Sequence, residues 1–222
     1  PYPTLFPYTT LFRSITIAVV LMSLITVAGT GNFKSSMKAK LLTLRAYDES
    51  TNLEELGNDF ASIATLNTKR FEPLYYSAYC YILGSWQIVV PSEKTAILEK
   101  ALTQIDKAIE ISPKNDELLV LKAFYYQAMI MVNPQQFGQP YSAKANELLV
   151  KAQTINSKNP RAEFLLAQNI YYRPVQFGGG KEKALPLFSK EAELFKQQDS
   201  RNYLSPVWGE RTNSEMLMEC SY

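Results

Sequence analysis

Ala101-Leu102-Thr103-Gln104-Ile105-Asp106-Lys107-Ala108-Ile109-Glu110-Ile111-Ser112-Pro113 is the stretch that decides the fold. Ala101, Ile105 and Ala108 stand four and three residues apart, and Pro113 follows five residues later. On a helix these spacings put the three side chains on one face, and small residues around a large apolar one let a second helix approach closely. The spacing returns at Ala145, Leu149 and Ala152, ahead of Asn159-Pro160, and more loosely at Ala184, Phe188 and Ala192. Each copy reads as the second helix of a helix-turn-helix unit.

The helices that precede these copies repeat as well. Tyr75-Tyr76 with Ala78, Ala123 with Tyr125-Tyr126, and Ala167 with Tyr171-Tyr172 each set a small residue near a tyrosine pair. Two segments, Pro134-Gln135-Gln136-Phe137-Gly138 and Pro174-Val175-Gln176-Phe177-Gly178, lie 40 residues apart and read as matching loops inside the pairs. With this pattern residues 36–197 resemble the tetratricopeptide (TPR) family, although the period of about 40 exceeds the roughly 34 residues of its usual repeat. The chain departs from the family pattern at Ser157, where a closing proline is replaced, and at Glu191, which falls where a small residue belongs.

No stretch alternates with period two long enough to build a sheet, so the expected fold is all-α, a TPR-like helix-turn-helix array. Four pairs are expected at 36–66, 72–111, 116–156 and 160–197, with helix starts and stops at Ser92-Glu93, Pro113-Lys114-Asn115, Asn159-Pro160 and Gly178-Gly179-Gly180. A capping helix beginning at Trp208-Gly209 and running to about 219 would shield the last apolar face. The repeat domain is thus expected to span 34–222.

The amino-terminal part reads differently. Residues 4–14, from Thr4 to Ser14, resemble a translated sequencing adapter, which makes 1–14 a segment never selected to pack. Ile15 to Val27 is uncharged and rich in Ile, Val and Leu, and small residues Ala28, Gly29, Thr30 and Gly31 follow. Its length suits the h-region of a secretory signal, about 7 to 15 residues, better than a membrane span of about 20. Residues 15–30 are therefore expected to be a signal peptide and the protein to be periplasmic or secreted, with membrane attachment only if the signal stays uncleaved.

Composition excludes several functions. The chain has 222 residues, 46% of them apolar, enough for a sizeable core, and its 23 basic and 21 acidic residues leave a formal charge of +2. Without a basic run, nucleic acid is not an expected partner. The chain contains no histidine, so Ser-His and Cys-His triads cannot be built, and no zinc-type spacing occurs. The expectation is a binding protein without catalytic residues, metal or cofactor, with Glu54-Glu55, Glu191-Glu193 and Glu215-Glu219 on solvated helix faces. Cys80 sits in an apolar helix pattern and reads as a buried thiol, with pairing to Cys220 the alternative in an oxidising compartment.

The TPR resemblance implies that the first helices line a concave groove, and its inward positions fall on Tyr75, Tyr79, Phe124, Gln127, Phe164, Gln168 and Tyr171. Aromatic anchors of this kind suit an extended peptide or protein partner, the first functional reading. The second is a small-molecule-binding accessory protein of an envelope uptake system, with the loops Met131 to Tyr141 and Arg173 to Lys181 folded over the groove. Gly178, Gly179, Gly180 and Lys181 lack the spacing of a phosphate-binding loop; they read as a turn or as an anion site at a helix start.

Overall fold

In the computed structural model, which describes residues 32–198 and 202–221, helices follow one another in pairs joined by short turns. The first pair is α1 (32–45) and α2 (Leu53–Thr65); the second, α3 (Glu72–Ser85) and α4 (Pro91–Ile111). The third is α5 (Asp116–Ile130) and α6 (Pro134–Ile155); the fourth, α7 (Pro160–Tyr172) and α8 (Lys181–Lys196), joined through a 3-10 turn at Val175–Phe177. A ninth helix, α9 (Glu210–Ser221), packs on α8. The described residues contain no strand, and none of their helices is long and apolar enough to cross a membrane. The adapter-like segment and the signal peptide lie outside the described residues.

Local chemistry sets the helix starts. The side chains of Asn52, Asn115, Asn133 and Asn159 accept hydrogen bonds from the first-turn amides of α2, α5, α6 and α7. Proline at the start of α4, α6 and α7 adds a preset backbone angle where no amide partner is needed. Asn159 does more: it is buried, and its Nδ2 donates to Asp116 Oδ2 and Glu117 Oε1, both at 2.8 Å. Asn159→Ala should therefore cost about 2 kcal/mol, the upper end for a helix cap. A loss in urea melts no larger than that of Asn115→Ala, whose cap is less buried, would leave the bridge to α5 without weight.

Packing follows the small-residue copies. Ala101, Ile105 and Ala108 on α4 and Ala145, Leu149 and Ala152 on α6 are fully buried. On α8 the corresponding buried set is Ala184, Phe188 and Glu191. Glu191 thus corrects the expectation of a solvated face: it faces the interior, and neither of its oxygens has a hydrogen-bond partner. Burial, with repulsion from Glu163, pushes its carboxyl up to about 9, so it is neutral at pH 7. α3 is buried all around its circumference from Pro73 to Ser85 because α2, α4 and α5 surround it.

The repeated Phe-Gly segments differ in structure. Pro134 to Tyr141, expected as a loop, is the start of α6: Asn133 caps it, Pro134 needs no amide partner, and the helix runs on through Pro140. Only Met131 to Asn133 connect α5 to α6. Pro174 to Gly180 does form a loop, so the two segments are not a matched pair of lids.

Candidate functional site

Successive first helices are neighbours: α5 packs against both α3 and α7, which places the three side by side on one face of the array. Tyr75 and Tyr79 are one helical turn apart on α3, and Phe124 lies opposite them on α5. All three are buried, Tyr75 to 1% exposure. Burial holds the Tyr75 and Tyr79 phenols well above their ordinary pKa, so both stay neutral.

What buries them is the chain's own carboxy-terminal segment. The Trp208 ring stacks on Tyr79 and on Phe124, with centroids 5.3 Å away in each case, and its Nε1 donates to Tyr75 Oη at 2.8 Å. Trp208 therefore does not begin the last helix. It ends an arm, residues 202–208, and Gly209 turns the chain into α9 with φ +105°; a Cβ there would lie 2.8 Å from the Phe195 ring. Three backbone carbonyls of the arm accept from side chains elsewhere: Tyr203 from Arg45 (2.7 Å), Leu204 from Tyr76 Oη (2.8 Å) and Pro206 from Gln198 (2.7 Å). Beneath the arm, Arg161 donates to both oxygens of Glu117, with a shortest contact of 2.7 Å, and to Gln198 Oε1, and its guanidinium lies 5.8 Å from the Trp208 ring centre.

The remaining groove candidates divide between packing and covered positions. Phe164 packs against Phe188 and Phe195 of α8. Gln127 ties α5 to α7 by donating to the Leu165 carbonyl at 2.8 Å and to Asn169 Oδ1 at 2.9 Å. Gln168 donates to the Met216 sulfur and Tyr171 to Glu219, so α9 covers both. The face along α3, α5 and α7 is thus covered by the arm and α9.

The glycine loop uses its amides internally. Gly178 donates to the Val175 carbonyl, Gly179 to Pro174 and Gly180 to Ile170, while Lys181 reaches the Glu219 carbonyl at 3.0 Å. None of the three glycine amides is free for an anion, so the anion reading rests on the first turn of α8, which has no side-chain cap, with Lys181 and Lys183. The glycines have conformational work instead: Gly178 and Gly180 take φ +82° and +107°, and a Cβ on Gly179 would collide with the Arg173 carbonyl. Cys80 and Cys220 are both free thiols, Cys80 buried. Among the described residues no cluster of acidic or cysteine side chains could hold a metal ion.

One feature of the site lay outside the sequence expectations. First helices that run side by side end at a common edge, and the turns there expose large apolar side chains: Trp86 (54%), Val89 (90%), Met131, Tyr172, Val175 and Phe177 (69%). Trp86 meets the buried row directly, edge-on to Phe124 with centroids 5.4 Å apart. The opposite turns are polar: Ser112 to Asn115 and Asn156 to Asn159. The run Trp86-Gln87-Ile88-Val89-Val90 was the available signal, being too apolar for an ordinary solvated turn.

No family model and no curated protein matches the chain. Among solved structures, the HusA haemophore from Porphyromonas gingivalis is 34% identical and superimposes with a TM-score of 0.76; the match covers 85% of this chain and 92% of that one. With that identity carried over nearly the whole length of the other protein, the chain belongs to the family of the HusA haemophore.

Proposed function

We propose that this protein is an exported binding protein, not an enzyme, that captures haem for an envelope uptake system. The observation that carries the reading is its membership of a family named for a haemophore. The chain's own surface suits such a cargo. A porphyrin is a broad, flat, apolar ring, and the Trp86 edge offers exposed aromatic and aliphatic area continuous with Phe124. No histidine exists to bind iron, so stacking and burial of the ring supply the affinity, with the Met131 thioether and Tyr172 phenol as the exposed donors along the same edge.

Titrating haem into the protein while following its Soret absorbance tests this. Saturable binding is expected, and Trp86→Ala should weaken it about tenfold, the effect of losing one aromatic anchor worth about 1.4 kcal/mol. Because Trp86 is more than half exposed, its removal should leave the melting temperature nearly unchanged. A Soret band that rises without saturating, or a Trp86→Ala curve superimposable on the wild type, would refute the assignment.

A further inference from the structure

Charge is spread unevenly along the edge on which the first helices end. The segments 86–92 and 131–143, which form the turns of the second and third pairs and the starts of the helices after them, contain no charged residue. The turn of the fourth pair, 173–183, contains Arg173, Lys181, Glu182 and Lys183 around the exposed side chains of Val175 and Phe177. From the Trp86 turn to the Phe177 turn the edge thus passes from apolar to cationic.

Two of the cations in the last turn are unspent. Lys181 donates to the Glu219 carbonyl, and its Nζ lies 3.9 Å from the Glu219 carboxylate. The side chains of Arg173 and Lys183 make no hydrogen bond and no ion pair among the described residues. The glycine turn holds both beside Phe177: Gly179 has no room for a Cβ against Arg173, and a Cβ on Gly178 would lie 3.7 Å from Lys183 Nζ. Glu182 is the single carboxylate of the turn, so an excess of positive charge remains. A guanidinium and an ammonium without counter-ions, next to exposed apolar rings, suit carboxylates carried on a flat apolar body.

We propose that Arg173 and Lys183 take the two propionate groups of the porphyrin and so set how its ring lies on the edge, an assignment that rests on the haem reading and names the part of the cargo this turn recognises. α5 stands between α3 and α7, so each turn is one interhelix step of about 8–10 Å from the next. A ring lying over the Trp86 and Met131 turns has its propionates one such step away, at the cations, while its methyl and vinyl side meets the uncharged turns. The reverse orientation would press two carboxylates against an uncharged surface and strip them of water without a partner. The protein therefore selects tetrapyrroles whose carboxylates are free.

The full chain is titrated with haem and with haem dimethyl ester, followed by quenching of tryptophan emission; the ester keeps the ring and the iron and removes only the two negative charges. The ester should bind about tenfold more weakly than haem, the effect of two exposed charge pairs. Arg173→Gln/Lys183→Gln should lose about tenfold for haem and nothing for the ester, so that this variant no longer tells the two apart. Its melting temperature should match the wild type, since neither side chain bonds to the protein. Lys114→Gln/Lys158→Gln removes the same charge at the opposite, polar turns and should keep the full preference for haem. Equal binding of haem and ester by the wild type, or an equal loss for both ligands in the Arg173/Lys183 variant, overturns the assignment and leaves haem binding standing. An equal loss of haem affinity in the Lys114/Lys158 variant overturns it as well, since net charge alone would then be at work. Saturable binding of neither ligand overturns the haem reading and this assignment with it.

Discussion

Arg161→Ala should destabilise the protein by about 3–5 kcal/mol, the range for leaving one member of a buried ion pair without its partner. Arg161 is 3% exposed. Burial disfavours its charge, yet the Glu117 carboxylate and its hydrogen bonds more than offset this and raise the guanidinium pKa. Truncation strands Glu117 and also releases Gln198, which accepts from Arg161 and donates to the arm at Pro206. The variant should therefore lose stability and change Trp208 emission together. Replacing both Arg161 and Glu117 by leucine removes the stranded charge and should recover most of the loss. Urea melts of the single and double variants decide the matter: a single-variant loss under about 1 kcal/mol, typical of an exposed pair, would show that water reaches it.

Glu191→Gln should make the protein more stable, and more so as pH rises. The folded carboxyl titrates at about 9 against an ordinary 4.5, so the folded state holds the proton more tightly than the unfolded one. Stability associated with this group is complete below about pH 4.5 and drains away as pH climbs towards 9. Glutamine keeps the shape and has no proton to lose. Between pH 5 and pH 8 the advantage of the variant should grow by about 2–4 kcal/mol, because each pH unit between the unfolded and folded titrations costs the wild type about 1.4 kcal/mol. Melts at the two pH values measure it. An advantage independent of pH would mean that Glu191 is already ionised in the fold.

Much of the architecture was legible because it is local. Ala101, Ile105 and Ala108 repeat at a helical spacing whatever surrounds them, and Asn159-Pro160 caps and starts a helix by its own side chain and ring. The four pairs accordingly lie within a few residues of their expected limits. The Pro134 to Gly138 segment misled for a local reason as well. It matches Pro174 to Gly178 in residue type, yet Asn133 in front of it supplies a helix cap, whereas Pro174 is followed by glycines at positive φ. Placement of Glu191 inside the array was legible in its repeat position but not in its charge.

The candidate site was half visible. Tyr75, Tyr79 and Phe124 were identifiable by their places in the repeat, and the structure brings them together. That Phe164 turns to α8 and that α9 covers Gln168 and Tyr171 depends on helix rotation and on what lies across the face. The periodicity of this sequence determined the helices, their pairing and the face on which aromatic side chains gather, because hydrogen bonds and side-chain spacing within each pair are settled over a few turns of chain. Only the tertiary structure decided that the face is closed and by what. The contact of Trp208 with Tyr75 joins residues 133 positions apart, and no local preference encodes a meeting that depends on how four stacked pairs bring the end of the chain back across their first helices.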